Sequence, residues 1–128
     1  VSMIIALRNS EAIIEEKIKN CLALRYPSGE VEIIFSLDGS TDKTEEIIKG
    51  YKDESIKVIS SPVHQGKVYA LNRAVQIATN DVLVFSDADS IIGKDSLIKM
   101  FAHLTDKNVG GVCGRRVIYK DKTELKSA

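Results

Sequence analysis

Tryptophan is missing from this chain, and cysteine, histidine, proline and methionine occur twice each. Cys21 and Cys113 lie far apart in apolar settings. They fit reduced, buried thiols better than a disulfide or a metal pair, and so point to a cytoplasmic location. His64 and His103 stand at no metal-ligand spacing with each other or with a cysteine, which argues against a zinc site. Charge of one sign is also lacking: 18 basic residues face 18 acidic ones. No general pull toward nucleic acid or an anionic membrane follows. The one basic cluster, Arg115-Arg116 with Lys120 and Lys122 beyond it, is too thin for nucleic acid. No apolar run approaches the ~20 residues of a spanning helix, and nothing resembles a signal peptide. Glycine-rich phosphate loops are absent: neither G-x-G-x-x-G after the first strand nor G-x-x-x-x-G-K-[ST] occurs. That counts against a dinucleotide oxidoreductase and a P-loop nucleotide hydrolase. No serine sits in a G-x-S-x-G elbow.

What is present suits one soluble α/β domain over residues 1–128, with 44% apolar and 28% charged residues. Five apolar, β-branched runs alternate with helical patterns. Val1 to Leu7 opens the chain as a buried strand and, starting at residue one, reads as part of a longer protein. Ser10 is placed to cap a helix with Ile14, Ile18, Cys21 and Leu22 on one face. Val31 to Leu37 is the second strand, and Asp42 with Glu45 has capping-box spacing for the second helix. Ile56 to Ile59 is the third strand. Gly66 opens a third helix whose buried side is marked by Val68, Leu71, Val75 and Ala78. Val82 to Phe85 is a buried central strand, and a fourth helix runs through Leu97, Phe101 and Leu104. A final strand begins at Val109 and extends toward Tyr119. Strands alternating with helices across short connections imply a Rossmann-like, mostly parallel sheet with helices on both faces.

In such a sheet, ligands bind beyond the carboxyl ends of the strands. Three strand ends carry polar groups that would meet on that rim: Arg8-Asn9, Asp38-Gly39-Ser40 and Asp87-Ala88-Asp89. Two acids at i, i+2 face one point if the extended geometry persists. Close carboxylates repel unless a cation sits between them or one takes a proton. A hard divalent ion, Mg²⁺ or Mn²⁺, fits two carboxylates completed by substrate phosphates. Lys67, at the start of a helix, is placed to join them. Each piece has a plainer reading as well. Asp-x-Asp and Asp-Gly-Ser are ordinary turn compositions, Lys67 alone is a solvated helix charge, and His64 is a loop residue within reach of a ligand. His103 reads as a surface or packing residue.

Taken in order, the opening strand, Asp38-Gly39-Ser40-Thr41-Asp42, Gln65-Gly66-Lys67 with Ala70-Leu71-Asn72-Arg73-Ala74, Phe85-Ser86-Asp87-Ala88-Asp89 and the stretch from Val109 to Arg115 resemble the amino-terminal portion of a family 2 glycosyltransferase with the GT-A fold. The resemblance implies transfer of a sugar from a nucleotide diphosphate sugar, a UDP-sugar in preference to a GDP-sugar, with inversion at the anomeric carbon. It implies that Asp38 holds the nucleoside, that Asp87 lies near the ribose and the metal, and that Asp89 coordinates Mg²⁺ or Mn²⁺ on the diphosphate. Lys67 matches a position near the nucleotide.

The sequence departs from that family pattern in three places. Ala6 and Arg8 stand where the family often has proline and an aromatic near the base; a guanidinium plane can also stack on a base. Leu37 replaces an aspartate that many members carry before Asp38. The family's catalytic base falls beyond residue 128, and nothing aligns Glu124 with it. The implied chain is therefore a donor-binding portion with weak or no transfer by itself. Its acceptor is undefined, its parent protein is open to membrane attachment, and an unpaired sheet edge leaves room for a homodimer. Two other readings stay open on the residues alone. One is an aspartate- and Mg²⁺-dependent phosphotransfer domain; the other is a non-catalytic nucleotide-binding or interaction module.

Overall fold

The computed structural model describes residues 1–118. Its elements run β1 (Ser2–Leu7), α1 (Ile14–Ala23), β2 (Glu32–Asp38), α2 (Thr44–Lys49), β3 (Ile56–Ser61), α3 (Lys67–Ile77), β4 (Leu83–Phe85) and α4 (Ser96–Leu104). The four strands pair in parallel in the order β3-β2-β1-β4. The chain thus steps outward from β1 to β3, then returns across the sheet to place β4 on the other side of β1. A reversal of that kind moves the connecting helix to the opposite face when crossovers keep one hand.

The core divides accordingly. Met3, Ile5, Ile33, Phe35 and Leu37 pack with Ile14 and Ile18 of α1, Ile48 of α2 and Leu97 of α4. The alternate residues Ile4 and Ile34 meet Ala74 of α3 on the other face. Both inner strands are covered on two sides, which is why they read as continuous apolar runs.

Several local expectations are corrected. On α3 the buried residues are Ala70 and Ala74, whereas Val68 is 72% and Val75 38% exposed. Alanine lets the helix backbone come close to the sheet, and the Ser36 hydroxyl donates to the Ala70 carbonyl at 2.8 Å. Leu71 and Ala78, as expected, pack partly buried against the same cluster, while the two valines are left flanking that contact. Leu22 of α1 is likewise outside the core, at 38% exposed. The Ser10 carbonyl, not its side chain, accepts from the amides of Ile13 and Ile14. Asp42 Oδ1 accepts from the Thr44 amide and hydroxyl, while Glu45 pairs with Lys49 instead of closing a capping box. β4 is three residues long, half-buried, and paired only with β1 among the described residues. Residues 109–118 form no strand; Tyr119, Lys120, Lys122 and Glu124 lie outside the described residues. Cys21 is buried but Cys113 is exposed, and both are free thiols. Among the described residues, no helix is long and apolar enough to cross a membrane.

The end of the sheet away from the rim is fastened by a buried carboxylate. Glu32, 4% exposed, accepts from the Ser2 hydroxyl and the Thr79 amide, each at 2.5 Å, and pairs with Lys57. Burial pushes its pKa up, but these partners outweigh burial and hold it down at about 2. A carboxyl depressed on folding contributes stability that is present above its ordinary value and lost as pH falls through the folded one. Urea unfolding should therefore lose on the order of 2–3 kcal/mol between pH 4.5 and 2 from this group. Glu32→Gln should flatten that part of the profile. An unchanged acid slope in the variant would contradict the assignment.

Candidate donor site

The rim is built by three strand ends meeting around the place where the strand order reverses. In doubly wound sheets that point opens a crevice. Here the crevice is a cavity of about 200 Å³ lined by Ala6, Leu7 and Arg8 after β1, Asp38 of β2, His64, Lys67 and Ala70 around the start of α3, and Asp87 and Ala88 after β4. All five residues expected to bind substrate (Ala6, Arg8, Asp38, Lys67 and Asp87) share it. Asp89 is exposed on the same turn but does not line the cavity. A larger cavity, about 450 Å³, lies between β4 and α4. Its walls include Leu83, Phe85, Met100 and Phe101, and among the described residues Asp81 is its one ionisable group. Of the two, the smaller cavity gathers the charged side chains.

Asp38 is 4% exposed. Its Oδ1 accepts from the Gln65 amide at 2.7 Å and its Oδ2 from the Gly66 amide at 2.8 Å. His64 Nδ1 lies 2.7 Å from Oδ2. Helix α3 has no side-chain cap of its own; Asp38, from a different element, sits at its start, where negative charge complements the helix dipole. Burial raises the Asp38 pKa, yet the two amides and His64 hold the carboxyl below its ordinary value. Its neighbour Gly39 has φ +69° and abuts the same loop: a Cβ there would lie 2.5 Å from the His64 nitrogen and 2.9 Å from the Val63 carbonyl carbon. Only glycine tolerates both the conformation and the contact. The loops after β1 and β2 are laced as well. Asn9, at φ +46°, accepts from the Thr41 amide at 2.7 Å through Oδ1 and donates its own amide to the Ser40 hydroxyl at 3.1 Å.

Asp87 pairs with Lys67, both exposed. That hydrogen bond, against the effect of burial and with the charges of Lys67, Arg116 and Lys17 behind it, holds Asp87 below the ordinary carboxylate range. Lys17 of α1 gave no signal in the sequence, where Glu15-Glu16-Lys17 reads as a solvated helix face. It is fully buried, and its ammonium donates to the Ser86 hydroxyl at 2.7 Å and the Ser90 carbonyl at 2.6 Å. Burial pushes its pKa down, opposed by the charges of Cys21, Asp87 and Asp89. His103 is exposed on α4, away from the site.

With this geometry in place, relatives can be compared. The chain matches the family described as glycosyl transferase family 2 over residues 2–127, and it belongs to that family. It is 32% identical over 126 residues to a beta-monoglucosyldiacylglycerol synthase of Nostoc sp., covering 95% of this chain and 27% of that protein. It is 33% identical over 118 residues to the poly-beta-1,6-N-acetyl-D-glucosamine synthase of Staphylococcus aureus, covering 89% and 28%. The chain thus spans little more than a quarter of the length of these relatives. In three dimensions it resembles the mannosyltransferase PcManGT of Pyrobaculum calidifontis, solved with GDP-Man and Mn²⁺ (TM-score 0.78, 29% identity, 85% of this chain and 33% of that one). It also resembles S. aureus TarS 1-349 solved with UDP-GlcNAc (TM-score 0.73, 25% identity, 94% and 38%). These are GT-A transferases, and the parallel sheet agrees with that fold. Family membership leaves the phosphotransfer alternative without support.

The Gly39 contact is directly testable. Gly39→Ala should cost about 2–4 kcal/mol, combining strain at positive φ with the clash against the 63–64 backbone. Gly29→Ala, at φ +117° with nothing within 4 Å, should cost backbone strain alone, about 1–3 kcal/mol, and leave the 63–66 loop undisturbed. A Gly39→Ala variant that loses under about 1 kcal/mol in chemical denaturation would remove the claim that β2 and this loop are held by close approach.

Proposed function

We propose that this chain is the donor-binding unit of an inverting family 2 glycosyltransferase. It takes a nucleoside diphosphate sugar in the crevice between β1 and β4, with a divalent cation on Asp87 and Asp89. The observation that carries this reading is the convergence of Ala6, Arg8, Asp38, Lys67 and Asp87 on one cavity. PcManGT with GDP-Man and Mn²⁺, and TarS with UDP-GlcNAc, support a nucleotide sugar as the ligand class. The coverage of the longer relatives supports a donor-binding unit within a larger enzyme.

The donor set suits the ion. Asp87 and Asp89 offer exposed carboxylate oxygens from one short turn, and Mg²⁺ or Mn²⁺ commonly takes one or two carboxylates together with substrate phosphates. When bound, such an ion would stabilise the negative charge that develops on the leaving diphosphate. The chain's own residues bind and orient. Lys67, paired with Asp87, supplies a cation at the same wall of the cavity. Arg8 provides a guanidinium plane on which a base can stack. Asp38 has its oxygens engaged by the 64–66 loop; it reaches a nucleoside through the lone pair remaining on Oδ1 or through the His64 ring it orients. No residue is assigned as catalytic base, so transfer by this chain alone is expected to be very slow. General-base assistance is worth about 10²–10⁴-fold, and acceptor positioning more.

Calorimetric titration of UDP and of GDP, each with and without Mn²⁺, tests the proposal. One nucleotide should bind, its affinity should rise with the ion, and Asp89→Asn should abolish that rise. A folded chain that binds neither nucleotide would overturn the reading.

A further inference from the structure

Helix α1 grips the turn that carries the two aspartates. From Lys17, the ammonium reaches the Ser86 hydroxyl (2.7 Å) and the Ser90 carbonyl (2.6 Å), which bracket Asp87, Ala88 and Asp89. Three residues on, Asn20 donates its side-chain amide to the Ile92 carbonyl at 2.8 Å and accepts the Ile92 amide at 2.9 Å. Positions three apart share one helix face. Beyond these bonds the turn is held by the Lys67–Asp87 pair and by Ala88 and Ile92 against the core, and its backbone bonds are few. β4 ends at Phe85, the Ser86 amide makes one last sheet bond to the Ile4 carbonyl at 3.1 Å, and the Ser90 amide reaches the Asp87 carbonyl at 3.2 Å. A fully buried lysine is costly unless its charge is hydrogen-bonded, and here its bonds go to the two ends of the aspartate turn.

We infer that Lys17 is a positioning residue of the donor site. It closes the 86–90 turn so that Asp87 and Asp89 present their carboxylates together, and it places a fixed positive charge beneath them. This rests on the donor-site reading above. Lys17 itself touches neither the cavity nor the exposed carboxylates; its influence passes through Ser86 and Ser90. Groups that orient metal-binding side chains typically change metal affinity 10–100-fold when removed.

The test compares the wild-type chain with Lys17→Met, similar in length but without charge or donors, and with Ser86→Ala, which removes one acceptor and leaves Lys17 in place. Two readouts are taken: amide hydrogen exchange of residues 86–92 without metal, and the gain in UDP or GDP affinity on adding Mn²⁺. Lys17→Met should speed exchange across 86–92 while sparing β1 and β2, and should cut the Mn²⁺-dependent gain about 10–100-fold, with metal-free nucleotide binding little changed. Ser86→Ala should move both readouts the same way, with the gain reduced about 2–10-fold. It decides the matter if Lys17→Met does not fold. A variant that loses thermal stability but keeps local exchange and the full Mn²⁺ gain would overturn the inference and leave Lys17 a packing residue. Absence of a Mn²⁺ gain in the wild-type chain would instead overturn the donor-site reading.

Discussion

Asp38 is almost fully buried, and its carboxylate is anchored by a neighbouring loop: the amide of Gln65 on one oxygen, and the amide of Gly66 and the ring of His64 on the other, converge on it. An ionised carboxylate is kept out of water only when such partners replace its hydration. The consequence is mechanical. The end of β2 and the start of α3 become one unit, with Gly39 pressed against the His64 backbone, and Lys67 is delivered to its contact with Asp87. Without that anchor, the loop from Ser61 to Gly66 would have little to set where Lys67 and His64 stand.

The rest of the rim follows the same rule of paired charges on a rigid frame. Parallel strands bring Arg8, Asp38 and Asp87 to one side because every strand runs the same way. The reversal between β1 and β4 supplies the opening. Lys67 meets Asp87 from the front, and Lys17 supports the aspartate turn from beneath. Acidic and basic groups are thus interleaved around a small cavity. That arrangement suits a ligand bearing a diphosphate and a cation better than either charge alone.

Much of this was legible in the sequence, and the parts that were not have physical causes. The strand and helix order, the parallel sheet and the meeting of Arg8, Asp38, Lys67 and Asp87 follow from periodicity and from the rule that strand ends share a rim; Ala6 was named only through the family resemblance. The buried face of α3 was misread in part: Leu71 and Ala78 do pack on the sheet, but Val68 and Val75 outweigh Ala70 and Ala74 in any hydrophobic pattern, although small residues decide how closely a helix approaches a sheet. Lys17 was invisible because a lysine beside two glutamates on a helix normally faces water; its burial depends on Ser86 and Ser90, about 70 residues away. The His64–Asp38 pair is hidden for the same reason: its partners are distant in the chain. The stretch from Val109 has strand-like composition, but composition cannot supply the partner strand that a ladder requires.

The central claim is that a nucleoside diphosphate occupies the crevice between β1 and β4. Chemical-shift mapping of the ¹⁵N-labelled chain with UDP or GDP and Mg²⁺, followed by Mn²⁺ broadening, tests it most directly. The account predicts shifts at Arg8, Gly39, Gln65, Gly66 and Lys67, with broadening centred on Asp87 to Asp89. Perturbations confined to the apolar cavity between β4 and α4, around Leu83, Phe101 and Gly111, would contradict it.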